Sequence, residues 1–421
     1  MKKTILFLTA ILSAFIYSGC SELGRIDQID ESAPAPAALT VVGITNTPGG
    51  AIIKVKVPDD ENLIGAIAVY TRNGEECRAK ISKYVDTLVV RGFGNTESRN
   101  VKVYSLGVND KLSSPVEVTI HPLTPPVQAV SFDIAETFGG VVVKLDNNVS
   151  NADLAVGVLV DTVLTDIDLP PSEIKWADVT TFHTSAKTIS LSRRNLEAKT
   201  RIYGAFLRDR WNNHSDTIYK VLTPIEEIEL PKNTYANANL PTDYFTVAEN
   251  NKSGYGIHRL WDGNLRDAFY ATSHSGPMPQ WFTIRLGYKA SISRIQKWPR
   301  SGYELYSGTA PRTFEVYGST NPNPDGSFDE SWHLLGRFEQ PKPSGYGEGR
   351  EVGTITDEDN DYWYNKTEFE LAPTEDAPEP HQPVSYIRIK VTSTFATYGT
   401  DASIGQIIIG ELSFWGQKAN E

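Results

Sequence analysis

The apolar residues of this chain alternate with polar residues over short runs, as in AIIKVKV (residues 51–57), GVVVKL (140–145) and TISLS (188–192). Alternation with a period of two places successive side chains on opposite faces and is typical of a half-buried β-strand. Gly, Pro, Asn and Asp separate the runs, as they do at turns between antiparallel strands. The sequence has no heptad repeat and no long helical stripe. The pattern therefore predicts an all-β protein.

The strand pattern occurs twice in the first half of the chain. TPGGAIIKV begins at Thr47 and TFGGVVVKL begins at Thr137, which is 90 residues later. VYSLGVNDKLSSP begins at Val103 and IYGAFLRDRWNNH begins at Ile202, which is 99 residues later, and both copies end in Leu-Thr-Pro at that same offset. Two matched landmarks in each copy indicate an internal duplication, with the extra residues of the second copy in a loop between the landmarks.

Each copy is predicted to be an antiparallel sandwich, the first over residues 39–124 and the second over residues 125–225. The strand pattern of both copies resembles immunoglobulin-like and fibronectin type III-like modules. In that resemblance, Tyr104 and its counterpart Tyr203 supply a core aromatic residue of a late strand. Neither copy contains a catalytic motif. We therefore interpret the two modules as spacers, with binding of a partner as the alternative.

A third domain is predicted from residue 230 to residue 418. Aromatic residues become frequent there, and six of the eight tryptophans follow Trp211. The runs WFTIRLG, RTFEVYGS, YIRIKVTS and IIIGELSFWG again alternate as strands do. The pattern indicates one larger β-sandwich with a polar insertion near residues 338–380.

The first residues have the pattern of an export signal. Two lysines precede an apolar run over residues 5–17, and Ser-Gly-Cys follows it, ending at Cys20. The run is shorter than the roughly 20 residues of a membrane-spanning helix. YSGC resembles a bacterial lipoprotein signal, which implies that residues 1–19 are removed and that Cys20 carries lipid; the alternative is an ordinary cleaved signal. Residues 20–38, rich in Pro and Ala, are then a tether behind the anchor.

Charge and cysteine content exclude several functions. The net charge is −12, and the sequence has no run of basic residues of the kind that binds nucleic acid. The chain has two cysteines, and lipidation of Cys20 leaves Cys77 without a disulfide partner. We interpret Cys77 as a half-buried thiol. Signatures of serine hydrolases, zinc proteases and phosphate-binding loops are missing, and the seven histidines form no metal-ligand spacing. We therefore do not expect an enzyme.

The third domain resembles discoidin-type domains, the family of the coagulation-factor C-type and galactose-binding-like carbohydrate-binding modules. The resemblance rests on LWDGNLRDAFYA and QWFTIRLG, followed by RTFEVYGSTN, SYIRIKV and IIIGELSFWG, in the family's order. Three positions depart from the family pattern: Asp267 replaces a Thr, Phe269 replaces a Trp and Arg285 replaces a strand Asp. The resemblance implies a discoidin-like (galactose-binding-like) β-sandwich over residues 230–418.

The order of the parts resembles a class of surface lipoproteins from bacterial glycan-utilisation systems. Those proteins have a lipid anchor, two immunoglobulin-like modules and a distal discoidin-like domain. The resemblance implies an outer-membrane protein, exposed on the cell surface, that holds polysaccharide or oligosaccharide beside a TonB-dependent transporter. The alternative is a surface scaffold or adhesin that binds a protein partner through the discoidin-like domain.

A calcium site is implied by the discoidin resemblance. Many of the related carbohydrate-binding modules bind a structural calcium ion at the Asp-Gly-Asn turn, and calcium takes oxygen ligands. Carried over to this chain, Asp262 and Glu411 supply carboxylates, Asn264 supplies a carbonyl oxygen and Asp267 supplies a further carboxylate. The alternative is a plain turn in which Asp262 caps its own backbone.

A second acidic segment, DEDNDYWYNKTE from Asp357 to Glu368, has carboxylates at the first, third, fifth and twelfth positions of a calcium-binding loop. That loop requires Gly at its sixth position, where this chain has Tyr362. The flanking sequence has no helical pattern either. We therefore expect an acidic surface loop here and no metal.

Aromatic and polar residues in the loops of the third domain are the candidate ligand contacts. Sugars present flat C–H faces that rings cover and hydroxyls that Arg and His bind, and exposed loop rings are costly unless they bind something. In the related modules these loops share one end of the sandwich. The alternative for any single ring is packing of its loop against the core. The candidates are Trp298, Arg300, Tyr303, Tyr306, Tyr270, His274, Phe395 and Tyr398.

Overall fold

The computed structural model describes residues 31–163, 174–244, 254–266, 268–302, 305–365, 367–371 and 382–419. The export signal predicted for residues 1–19, the lipidation site at Cys20 and the start of the tether lie outside the described residues. Within the described ranges, no helix has the length and apolar character needed to cross a lipid bilayer.

The first module is a sandwich of two antiparallel sheets. Its strands are β1 (Thr40–Thr47), β2 (Gly50–Lys56), β3 (Leu63–Arg72), β4 (Glu75–Ser82), β5 (Thr87–Arg91), β6 (Arg99–Gly107) and β7 (Val116–Ile120). One sheet has the order β1-β2-β5 and the other β4-β3-β6-β7. The inward residues of the alternating pattern, among them Ile53, Leu88 and Val103, are fully buried and form the core between the sheets.

The second module repeats this arrangement. After a one-turn helix, α1 (Pro126–Ala129), come β8 (Ser131–Thr137), β9 (Gly140–Asp146), β10 (Leu154–Asp161), β11 (Trp176–Thr184), β12 (Ile189–Arg193), β13 (Arg201–Arg208) and β14 (Ile218–Leu222). The two sheets have the orders β12-β9-β8 and β11-β10-β13-β14. Val143, Val156 and Leu207 lie in the core between them.

The two modules begin with the same hairpin, which supports the duplication. A Gly with positive φ closes the turn between the first two strands, Gly49 at 64° in the first module and Gly139 at 68° in the second, a conformation that favours Gly. The N–H of Gly49 donates to the carbonyl of Leu123 at 2.9 Å, and the N–H of Gly139 donates to the carbonyl of Ile225 at 2.7 Å.

In the second halves of the modules, equivalent residues are 102 positions apart and not 99. Ser113 and Ser215 are equivalent, because each hydroxyl accepts an N–H from a preceding strand, at 3.0 and 2.8 Å. A shift of three residues moves a side chain to the other face of its strand, since strand side chains alternate. Tyr203 is in the core, 3% exposed, whereas Tyr104 is half-buried and outside it. The prediction that Tyr104 is the core counterpart of Tyr203 is therefore wrong.

The third module is built around one long antiparallel sheet. Its strands are β15 (Ile228–Glu229), β16 (Ala236–Asn237), β17 (Tyr270–Ala271), β18 (Gln280–Trp298), β19 (Pro311–Ser319), β20 (His333–Glu339), β21 (Glu368–Glu370), β22 (Val384–Thr394), β23 (Ile408–Ile409) and β24 (Glu411–Lys418). The helices in the described part of this module are two 3₁₀ turns, Lys232–Thr234 and Ile257–Leu260, and α2 (Asp357–Asn365).

The order in this sheet is β15-β24-β18-β22-β19-β20, with β16 and β21 also paired to β18, while β17 pairs separately with β23. The core includes Phe282, Ile387 and Phe414, which are fully buried. The all-β prediction is confirmed: two sandwiches of antiparallel sheets are followed by a module built around a larger antiparallel sheet.

The acidic segment that begins at Asp357 is a helix and not the surface loop that we expected. Thr356 caps this helix: its hydroxyl accepts the N–H of Asp359 at 3.2 Å, and a carboxylate oxygen of Asp359 accepts the N–H of Thr356 at 2.8 Å. This reciprocal pair is a capping box. Asp359 is fully buried and lies 3.2 Å from the ammonium of Lys342. The part of the polar insertion around Asp359 is therefore folded into the module.

The first and second modules meet at Trp211. A Cβ atom on Gly92 would lie 2.8 Å from Cγ of Trp211, so the indole packs directly on the backbone of the first module. The side chain of Asn213 donates to the carbonyl of Gly92 at 3.0 Å. The contact requires Gly at position 92, which also has a φ of 95°.

The second and third modules are joined through Glu227, whose side chain is 5% exposed. Glu227 forms one ion pair with Arg194 of the second module and another, at 3.5 Å, with Arg294 of β18. Arg294 also lies 2.5 Å from Glu368 and 4.0 Å from the ring centre of Trp415. One carboxylate between two arginines therefore fixes the third module on the second.

We expect Glu227→Gln to lower the free energy of unfolding by about 3 kcal/mol, because it leaves two largely buried guanidinium groups without their shared carboxylate. Urea unfolding monitored by tryptophan fluorescence would measure the loss. Glu226→Gln is the matched control, since Glu226 is the exposed neighbour of Glu227. Equal stabilities of the two variants would contradict the role given to Glu227.

Candidate functional site

The loops that carry the candidate ligand contacts meet at one end of the third module. The N–H of Ala396 donates to the carbonyl of Gly308 at 2.8 Å, and the N–H of Ile408 donates to the carbonyl of Thr309 at 3.2 Å. The short strands β17 and β23 pair beside them through Tyr270 and Ile409. These bonds bring the loop after β18, the loop after β22 and the segment before β17 together.

Three half-buried side chains form a stack at this loop end. The rings of Tyr255 and Phe269 have centres 4.7 Å apart and planes inclined by 31°. The guanidinium carbon of Arg300 lies 4.2 Å from the centre of the Phe269 ring. The segments are tied by the N–H of Ala271, which donates to the carbonyl of Tyr255 at 3.2 Å. We call Tyr255, Phe269 and Arg300 the loop-end stack.

Local sequence explains why Phe269 faces outward. Its neighbour Tyr270 is fully buried, its ring centre lies 5.1 Å from that of Phe282, and its hydroxyl donates to the carbonyl of Tyr244 at 3.3 Å. Adjacent residues of an extended segment point to opposite sides. Tyr270 therefore packs in the core, which is the alternative to ligand contact given above for any single ring. Phe269 occupies the surface position.

Tyr306 is also a packing residue in this structure. It is 1% exposed, and its hydroxyl donates to the carbonyls of Pro341 and Asp359, each at 3.2 Å. Its ring centre lies 4.5 Å from that of Trp363 on helix α2 and 6.0 Å from that of Phe395. Tyr306 thus holds the folded insertion against the loop after β18.

Phe395 and Tyr398 are half-buried beside this cluster. The guanidinium carbon of Arg312, a residue only 2% exposed, lies 3.5 Å from the ring centre of Tyr398 and 5.6 Å from that of Phe395. The same guanidinium donates to Glu339 at 3.0 Å. Arg312 therefore covers one face of Tyr398 and makes the rings part of a rigid floor next to the loop end.

The remaining candidates differ in position. Trp298 is half-buried at the end of β18, and the ammonium of Lys232 lies 5.6 Å from its ring centre. His274 is exposed in the loop after β17. Tyr303 lies outside the described residues. The structure thus brings Trp298 and Arg300 to the loop end and leaves His274 on its rim.

Glu411, one of the residues in the calcium prediction, already has a cation of the chain beside it. Its carboxylate is buried, with the Lys232 ammonium at 2.5 Å, and both of its oxygens accept the N–H of Gly263 at 3.1 Å. Burial raises the pKa of Glu411, and Lys232 opposes that shift. The 3₁₀ turn that begins at Lys232 and the last strand, β24, are therefore tied to the Asp-Gly-Asn turn by one carboxylate.

Asp262 of the turn likewise has a cation and a backbone N–H as partners. Asp262 pairs with Arg259 at 2.8 Å and accepts the N–H of Asn264 at 2.9 Å. The oxygens of these residues suit calcium in kind, but calcium takes about six to eight ligands. Among the described residues no group of three or more His, Cys, Asp or Glu side chains could hold a metal ion, and Asp267 lies outside that set. Calcium binding by Asp262, Asn264, Asp267 and Glu411 stays a prediction.

We expect Lys232→Met to lower the free energy of unfolding by about 3 kcal/mol near neutral pH, because Glu411 then has no cation in a buried place. The loss should shrink at acidic pH, where a carboxylate of raised pKa takes up a proton in the folded state first. Thermal unfolding at several pH values would measure this, with Lys289→Met, an exposed lysine of the same module, as the control.

The same variant tests the calcium prediction. If the site binds calcium, millimolar calcium should raise the melting temperature of Lys232→Met and a chelator should abolish that rise, since binding to the native state stabilises it. A melting temperature that changes neither with calcium nor with the chelator would contradict calcium binding at Glu411.

Lys297 lies beside Trp298 on β18 but points into the module. It is 4% exposed, and its ammonium lies 5.0 Å from the ring centre of Trp363. Burial lowers its pKa from 10.5 to about 7. The folded protein therefore binds fewer protons than the unfolded chain between these values, so stability rises with pH across that window.

We expect Lys297→Met to remove this rise. Between about pH 7 and pH 9.5, the wild-type protein should gain about 3 kcal/mol in unfolding free energy relative to the variant. Urea unfolding at both pH values gives the comparison, and Lys289→Met should keep the wild-type slope. Parallel pH profiles for the wild type and Lys297→Met would contradict a neutral buried lysine.

Sequence reasoning missed three residues of this end. Phe269 was noted only as a substitute for a family Trp, although the adjacent Tyr270 signals that one ring faces in and the other out. Tyr255 and Lys232 gave no local signal: Tyr255 meets Phe269 only in the folded structure, and Lys232 and Glu411 are 179 positions apart.

Three family models match the chain, each described as a domain of unknown function. They are DUF4959 over residues 36–122, DUF5126 over residues 123–233 and DUF5000 over residues 261–416. No curated protein sequence matches the chain significantly. The matched ranges follow one another along the chain in the order of the three modules.

Several solved structures are similar to the chain. A SusE-like protein has 26% identity and a TM-score of 0.42, and the match covers 70% of this chain and 100% of that one. CBM32-3 from a family 31 glycoside hydrolase of Clostridium perfringens has 13% identity and a TM-score of 0.29, covering 45% and 95%. The lectin binding domain of lectinolysin, complexed with Lewis b, has 12% identity and a TM-score of 0.24, covering 39% and 86%. Similarities with TM-scores this low do not indicate a function. The function has to be argued from the residues of the site.

Proposed function

We propose that the protein is a non-catalytic glycan-binding lipoprotein of the outer membrane, and that its third module captures polysaccharide for a TonB-dependent uptake system. The observation that carries the binding role is the loop-end stack, an aromatic pair with a guanidinium beside it at the end where the loops converge. The anchor at Cys20, the surface location and the transporter partner are supported by the sequence resemblance alone.

The stack offers what a sugar ring requires. The exposed parts of the Tyr255 and Phe269 rings can contact the C–H face of a pyranose, and aromatic rings provide large contact area with few rotatable bonds. The guanidinium of Arg300 presents several N–H donors in a plane, which suits the hydroxyl and ring oxygens of a saccharide. Trp298 extends the aromatic surface along the same loop.

The surroundings of the stack make it a preformed site. Arg312 and the rings of Tyr346 and Tyr398 lie in contact, with the guanidinium carbon 4.4 and 3.5 Å from the two ring centres. Tyr306 and Trp363 pack below them. A loop held on such a cluster loses little conformational freedom when a ligand binds, which is how preorganisation favours affinity.

A hydrolytic role is not favoured by the carboxylates at this end. A glycosidase needs two carboxyl groups that face one sugar, one of them able to give a proton. Asp262 is paired with Arg259, and Glu411 is paired with Lys232. Both carboxylates are thus held by cations of the chain, which supports a binding role over hydrolysis.

We expect Phe269→Ala and Arg300→Ala each to weaken binding of the recognised glycan about tenfold, the loss of one central contact. The glycan would be identified first on an array with the full chain, in the presence and absence of a calcium chelator. Titration calorimetry would then compare the variants with the wild type.

Tyr84→Ala is the control for these variants, because Tyr84 is 87% exposed on the first module and far along the chain from the stack. It should bind as the wild type does. Binding that survives both loop-end substitutions would overturn the site. An array without any signal, together with co-purification of a transporter protein, would favour the scaffold or adhesin function.

A further inference from the structure

The four-stranded sheet of the second module has an outer face with a floor of small residues. Val156 and Val158 of β10 point into the core. The residues between and beside them, Ala155 and Gly157, therefore lie on the outer face, since strand side chains alternate. Gly204 of β13 lies on the same face, because its strand neighbours Tyr203 and Ala205 are core residues.

Aromatic side chains lie across this floor. A Cβ atom on Gly204 would be 2.9 Å from the Trp176 ring, and one on Gly157 would be 2.3 Å from the Phe206 ring. Each ring has a neighbour: Trp176 lies 6.3 Å from Tyr219, which is 41% exposed, and Phe206 stacks on His214 at 5.4 Å and 22°. The glycines thus allow flat rings to lie on the outside of a spacer module.

A groove of about 650 Å³ opens at the end of this face. Its floor is Ala155, which pairs with His183 of β11 on one side and with Arg208 of β13 on the other. Asp153 and Arg210 also line it. The groove continues into a second depression of about 330 Å³ that reaches Trp211 at the junction with the first module.

Two arginines, Arg208 and Arg210, and two aspartates, Asp153 and Asp209, line the groove. Among the described residues, no carboxylate forms an ion pair with Arg208 or with Arg210, although the chain carries a net charge of −12. Arg208 is half-buried on β13 and lines the groove, and the guanidinium of Arg210 lies 4.4 Å from the ring centre of Trp211.

Asp153 and Asp209 balance the charge of the two arginines but form no ion pair with them. One oxygen of Asp209 accepts the N–H groups of Trp211 and Asn213, at 2.8 and 2.9 Å. Its other oxygen accepts the side-chain amide of Asn213 at 2.8 Å. Asp153 is exposed and lies just before β10. The two guanidinium groups therefore remain available to an anionic ligand, and such a ligand would be bound by planar, bidentate contacts.

We propose that this groove is a second glycan site, selective for an acidic oligosaccharide, with Arg208 and Arg210 on a sugar carboxylate and with the Phe206 and Trp176 rings along the sugar chain. The assignment goes beyond the site of the third module and does not depend on it. It gives the second module a ligand in place of a purely spacing role.

Binding of uronic-acid oligosaccharides and neutral oligosaccharides to the full chain would test the proposal, on an array followed by calorimetry with galacturonate oligomers. We expect the acidic set to bind, with an affinity that falls as salt is raised, because the contact is between charges. Arg208→Gln and Arg210→Gln should each weaken this binding about tenfold. Lys80→Gln, which removes one charge from the exposed face of the first module, should not.

The double variant Phe269→Ala, Arg300→Ala separates the two sites. Retained acidic-glycan binding in this variant, with loss in Arg208→Gln, supports the groove whatever the fate of the third-module site. The proposal is overturned if the wild type binds no uronic-acid oligosaccharide, or if such binding is lost with the loop-end stack and survives Arg208→Gln and Arg210→Gln. Circular dichroism and melting curves of each variant would exclude unfolding as the cause of a loss.

Discussion

The arrangement of the third module depends on the course of one strand, β18. Its first half pairs with β22 and its second half pairs with β24, with an irregularity between Arg285 and Ala290. Gly287, with a φ of 85°, lies in that irregularity. The second half carries Arg294, which joins the second module, and Trp298, which ends at the ligand loops. Four residues of extended strand span about 13 Å, so the candidate site is held close to the junction.

Buried charge is the second constraint, because a single free thiol, Cys77, is the one cysteine in the described chain and disulfides cannot brace these modules. The third module instead encloses paired ions. Arg388 and Asp243 are fully buried 3.4 Å apart, and burial raises the pKa of that carboxyl. Arg388 also donates to Thr283 at 2.9 Å. Such pairs add little net stability but penalise any other packing of the same strands, since a separated partner would be buried alone.

Much of the fold follows from the sequence because alternation is a local signal, and its failures are informative for the same reason. The internal duplication agrees with the structure. Alignment of Tyr104 with Tyr203 gives an offset of 99 residues, three fewer than the structural offset of 102, and therefore assigns Tyr104 to the wrong face of its strand. The strand pattern does not show how many residues the second module adds in the loop between the two landmarks. The helix at Asp357 was read as a loop, although Thr356 and Asp359 already stand at the spacing of a capping box. The loop-end stack was predictable only in part, since Arg300 lies in a recognisable loop, whereas Tyr255 and Phe269 meet only in the folded structure.

The two proposed glycan sites lie on modules that are fixed to each other, and this has a consequence for affinity. Once one site holds a polymer, the second meets its ligand at an effective concentration set by the distance between the sites. With a flexible linker the two sites would sample many separations, and the effective concentration at any one separation would be lower. The Glu227 pairs with Arg194 and Arg294 hold one separation, so a glycan whose units for the two proposed sites recur at that spacing would be favoured over others. With both proposed sites occupied, a shallow site would be sufficient at each end, and selectivity for polymer over short oligosaccharide would come from the rigidity of the junction.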